Sequence, residues 1–107
     1  MRTVARDQGN TVVMTGYFDG INAASGSGFA QPDGIPFIWT RTGTGAYALK
    51  FDSRLMPTAI QASAGGAFNY ATVGGPGAAG AVTFQTVDAN NNGANSTVHF
   101  RIEARRV

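Results

Sequence analysis

One histidine, six carboxylates and several glycine-rich turns hold whatever chemistry this 107-residue chain could perform. His99 falls in "TVHFRIE", where Val98, Phe100 and Ile102 alternate with His99, Arg101 and Glu103. That alternation puts the imidazole on the polar side of a strand, with no second proton-shuttling group beside it. The acids Asp7, Asp19, Asp33, Asp52, Asp88 and Glu103 are scattered singly, so no spacing suggests the paired carboxylates of glycoside hydrolysis. No serine sits in a Gly-x-Ser-x-Gly elbow. Neither "SGSG" at 25–28 nor "TGTG" at 42–45 carries the glycine spacing of a phosphate-binding loop. Cysteine is absent, which removes thiolate nucleophiles, thiolate metal sites and disulfides. The expectation is a protein that is not an enzyme, with no catalytic residues and no cofactor.

Two local patterns merit weighing. "DANNNG" at 88–93 places Asp88, Asn90, Asn92 and Gly93 at positions one, three, five and six of a calcium loop. The twelfth position, where a bidentate glutamate belongs, is His99. The same residues between two strands serve a turn, because Asn and Gly tolerate left-handed backbone. The turn is the reading adopted, and no metal is expected. "NST" at 95–97 is a formal glycosylation sequon. The N-terminal "MRTVARDQGN" lacks the apolar stretch of a secretory signal, so export and glycosylation are not expected.

Composition narrows the partners. Charged residues make up 13% of the chain, against about 25% in typical soluble domains. The net charge is +2, and every cation except Lys50 is an arginine. Only "RIEARRV" at the end clusters them, with Arg101, Arg105 and Arg106 around Glu103. That is a thin basis for a nucleic-acid footprint, and direct nucleic-acid binding is not expected. No apolar run approaches the ~20 residues of a membrane-spanning helix.

The elements that must position these groups are strands. No stretch of ten or more residues keeps a helical period, and glycine recurs too often for stable helix. Short alternating runs instead predict strands at Thr11 to Phe18, Phe37 to Thr42, Ala46 to Phe51, Thr58 to Ser63, Ala67 to Val73, Ala81 to Val87 and Ser96 to Arg105. Thr3 to Arg6 could add another. The expected fold is all-β, an antiparallel β-sandwich or jelly roll of about seven to eight strands, in one domain over 11–107 with an N-terminal arm at 1–10. The inward rows supply its core: Tyr47, Leu49 and Phe51; Val98, Phe100 and Ile102; Val82 and Phe84; Phe37 and Trp39; Phe68 and Tyr70; and Val12, Met14 and Phe18. Trp39, Tyr47, Leu49, Phe51, Phe84 and Phe100 are expected to be mostly buried. Residues 19–36 are read as a long loop and 74–81 as a wide turn, since both are rich in glycine.

The segment "FIWTRTGTGAYALKF", followed by "TAIQASA", a Gly/Ala-rich turn, "VTFQTVDA" and "VHFRIEA", resembles small bacteriophage virion structural proteins. The likeness runs from Pro36 to the end of the chain. Such a resemblance implies a capsid decoration or cement protein, or a fibre-type β-domain, and brings no catalytic residues with it. It implies a virion protein on the phage head surface, made in the bacterial host cytoplasm. Its partners would be its own copies, as a homo-oligomer and most simply a trimer, together with the major capsid protein. The alternative is a receptor- or glycan-binding domain of a tail or head fibre. The contact residues expected are Arg2 and Arg6 on the arm, and Phe29 and Ile35 as apolar anchors in the long loop.

Overall fold

The computed structural model describes residues 11–65, 70–76, 78–90 and 92–107. Among them are eight strands and no helix: β1 (Thr11–Asp19), β2 (Ser25–Ala30), β3 (Ile35–Gly43), β4 (Ala46–Lys50), β5 (Leu55–Ala64), β6 (Tyr70–Pro76), β7 (Ala81–Val87) and β8 (Thr97–Arg106). They form two antiparallel sheets, β1-β8-β5 and β2-β3-β4-β7-β6, packed as a sandwich. The all-β antiparallel sandwich expected from the alternation is therefore the architecture. The edge strands β1 and β2 also meet in a seam, where Thr15 and Gln31 exchange backbone hydrogen bonds of 2.9 and 2.8 Å.

Alternation explains the core. On β1, Val12, Met14 and Phe18 point inward, and on β8 Val98, Phe100, Ile102 and Ala104 do the same. Trp39, Tyr47, Leu49 and Phe84 face them from the other sheet. Phe18 sits at the centre, stacked on Trp39 at 4.6 Å and edge-on to Tyr47 at 5.3 Å, with Phe84 and Phe100 at 6.2 and 6.3 Å. Rings at such separations gain beyond their buried area, and each buried aromatic stabilises by about 1.5–3 kcal/mol.

Two segments differ from expectation. The long loop at 19–36 contains β2, which forms a hairpin with β3 in the register Gly26↔Trp39 and Gly28↔Phe37. "SGSGFA" alternates like any strand, but its inward residues Gly26 and Gly28 have no side chain to show it. The partner rings fill the space: a Cβ on Gly26 would lie 2.7 Å from Trp39 Nε1, and one on Gly28 would lie 2.9 Å from Phe37 Cζ. The wide turn at 74–81 is likewise shorter than expected, since β6 continues to Pro76 and β7 begins at Ala81. Phe51 is half-buried rather than buried, because β4 ends at Lys50 and the chain turns away at Asp52. Phe68 and the strand at Thr3 to Arg6 lie outside the described residues.

Replacing Phe18 by Ala should lower unfolding free energy by about 3–5 kcal/mol, a large share of the ~5–15 kcal/mol typical of a domain. Urea denaturation would measure it, and a loss under 1 kcal/mol would show that the ring cluster is not the centre of the core.

Candidate functional site

The backbone groups at one end of the sandwich are consumed by packing. Gly43, Thr44 and Gly45 make the β3–β4 hairpin tip, where Gly45 adopts φ of +70°. The Gly45 amide donates to Asn95 Oδ1 at 2.8 Å, and the Gly45 carbonyl accepts from the Thr86 amide at 2.8 Å. "TGTG" is thus a tight turn docked on the β7–β8 connection. That connection has its own fastening: Asp88 Oδ1 accepts from the Asn90 and Asn92 amides at 2.9 and 3.0 Å. This is an aspartate-closed turn, with the carboxylate committed to backbone donors. No group of acids and histidines able to hold a metal occurs among the described residues.

Next to it lies a buried polar latch. The Tyr47 hydroxyl accepts from the Ser96 amide at 3.0 Å and donates between the carbonyls of Gly20 and Ser96, at 3.2 and 3.3 Å. Arg41 Nη1 adds bonds to the Gly20 and Ala23 carbonyls at 2.9 and 3.3 Å. The phenol, with a direct bond of 3.1 Å from the Gly20 amide to the Ser96 carbonyl, holds the β1–β2 and β7–β8 connections together, which gives Tyr47 a structural duty.

His99 is exposed on the outer face of the three-stranded sheet, with its ring 4.8 Å from that of Tyr17 across the β1–β8 pair. No carboxylate among the described residues pairs with it. Among the other titratable groups, Arg101 pairs with Glu103 at 2.6 Å and Arg54 with Asp52 at 2.8 Å, both at the surface. Asp19 is held below its ordinary value of 3.8 by the Asn22 side chain and then by the Ile21 and Asn22 amides. Asp52 is lowered in the same way by the Arg54 side chain, its amide and its charge. These are loop fastenings rather than reactive groups.

What remains is apolar surface. Phe29 on β2 is 67% exposed and Ile38 on β3 is 55% exposed. The register sets Phe29 beside the exposed Pro36 and sets Ile38 beside Lys50, so the outer face of the five-stranded sheet carries an apolar strip near its β2 edge. A groove on this face is bordered by Phe29, Pro36, Ile38 and Phe51, with Asp52 and Arg54 at its end. Of the contact residues read from the sequence, Phe29 is exposed as expected, but on a paired strand rather than a conformable loop. Ile35 is half-buried against the core, and the outward apolar side chains are its neighbours Pro36 and Ile38. Arg2 and Arg6 lie outside the described residues. The alternation of "IPFIWT" could have revealed Ile38, since it stands opposite in phase to Phe37 and Trp39.

Comparison with protein-family models, with curated proteins and with solved structures found no match to this chain.

The acid limb of stability follows from Asp19 and Asp52. Their folded-state values are depressed, so their contribution is present above the ordinary value of 3.8 and is lost as pH falls through the folded values. The unfolding midpoint should be flat above about pH 5 and decline below it. Asp19→Asn combined with Asp52→Asn should flatten that decline in thermal scans from pH 7 to 2.

Proposed function

We propose that the chain is a structural virion protein that decorates or cements a phage capsid as a symmetric oligomer, with a trimer as the simplest form. The observation that carries this reading is the exposed strip of Phe29, Pro36 and Ile38 on rigid, paired strands. An apolar strip set on a sheet rather than a loop loses little conformational entropy on contact, which suits repeated identical interfaces. In a trimer the contact is head-to-tail, so the strip of one copy meets a different surface of the next. The low charge of the chain fits close packing of that kind, and the side chains described above serve structure rather than catalysis.

The major capsid protein is the second partner in this reading. The N-terminal arm, through Arg2 and Arg6, would meet carboxylates on the shell, and the strip would supply contacts that salt does not screen. Retention on particles should therefore weaken only partly as ionic strength rises.

Ile38→Asp places a charge in the centre of the strip while leaving the buried face untouched. Sedimentation velocity should show the wild-type protein as an oligomer and the variant at least tenfold weaker in association, with an unchanged unfolding midpoint. A wild-type protein that stays strictly monomeric, and appears as isolated copies in a particle map, would refute the proposal. Deletion of residues 1 to 8 should leave the domain folded and reduce its loading onto stripped particles. Full occupancy by the truncated protein would move the shell contact from the arm to the sheet.

A further inference from the structure

The seam between β1 and β2 holds a second feature, which shares Phe29 with the strip. Just beyond the Thr15–Gln31 bridge a surface groove is lined by Thr15, Tyr17, Phe29, Gln31 and His99, over a floor of Gly16 and Phe100. One exposed aromatic comes from each sheet: Tyr17, 51% exposed, from β1, and Phe29, 67% exposed, from β2. The polar groups between them are a hydroxyl, a carboxamide and an imidazole. None of the described lining residues is a carboxylate, a lysine or an arginine.

We propose that this groove binds a neutral saccharide, with Tyr17 and Phe29 packing on the C–H faces of sugar rings and Thr15, Gln31 and His99 hydrogen-bonding to hydroxyls. A sugar ring is amphipathic, apolar across its axial C–H bonds and polar around its rim. Aromatic faces with polar groups between them are complementary to both aspects. The floor matters as much as the walls. Gly16 has no side chain because the Phe100 ring occupies its place, and a Cβ there would lie 2.5 Å from Phe100 Cζ. The Tyr17 ring is partly fixed in advance by its contact with His99, which reduces the ordering lost on binding. The described lining offers no cation to an acidic sugar or a phosphate, and the neighbouring Arg101, across from Thr15, is already paired with Glu103.

This inference does not rest on the assembly reading. Tyr17 lies on the outer face of the three-stranded sheet and Ile38 on that of the five-stranded sheet, so each can be altered without the other. The test is electrophoresis of the native protein through gels containing amylopectin, mixed-linkage β-glucan or galactomannan. Amide chemical-shift titration with maltohexaose, cellohexaose and mannohexaose follows. At least one polysaccharide should retard migration, and the shifts should cluster on Gly16, Tyr17, Gln31 and His99. Tyr17→Ala and Phe29→Ala should each weaken binding at least tenfold, whereas Ile38→Asp should leave it unchanged. Both aromatics are surface residues, so the variants should keep the wild-type spectrum away from the groove. No retardation by any of the three polymers, shifts that map elsewhere, or wild-type affinity in both aromatic variants would each overturn the proposal.

Discussion

Large rings in a thin sandwich need neighbours that give up their side chains, and the rest of this molecule is arranged around that constraint. Gly16 lies under Phe100, Gly26 under Trp39, Gly28 under Phe37 and Gly20 against Tyr47. Three of these pairs are direct cross-strand neighbours, each joining a glycine on an edge strand to an aromatic on the adjacent inner strand. The rings thus extend over the edges and close the core at the seam. Interior packing tolerates little added volume, so even a methyl group at Gly16 or Gly26 would force rings or backbone to move.

The same arrangement joins stability to surface. Because the inward positions at the seam are glycines filled from the neighbouring strand, the outward positions remain open for larger residues. Tyr17 is next to Gly16, and Phe29 is next to Gly28, so the exposed aromatics follow directly from the alternation. The domain covers its interior rings with glycine and presents separate rings to solvent from the same two strands. The proposed assembly strip and the proposed saccharide groove share Phe29.

At the other end the connections are held by polar groups rather than rings. Tyr47 combines the two roles: its ring packs edge-on against both Phe18 and Trp39, and its hydroxyl fixes Gly20 and Ser96. A buried hydroxyl with both a donor and an acceptor satisfied adds little net energy, but its removal would leave a buried amide unpaired. With Arg41 and Asn95 it gives the connections fixed positions. No buried side-chain polar atom among the described residues lacks a hydrogen-bond partner.

The sequence by itself determined the class of fold and most of the core. Period-two rows such as Tyr47–Leu49 and Val98–Phe100–Ile102 show which side of a strand is inside, because side chains on a regular pleated strand alternate between its faces. Glycine interrupted that legibility. In β2 the inward positions carry no side chain, so the strand read as a loop, and only its pairing with β3 revealed the rings that fill the gap. The role of Ile35 was also decided by register, since it begins a strand and turns toward the core while Pro36 and Ile38 turn outward. The contacts of Tyr47 with Gly20 and Ser96, and the placing of Tyr17 and Phe29 on one groove at the seam, bring together residues distant in sequence. Nothing in local alternation encodes which edges meet; only the packing of two sheets on one aromatic core places them together.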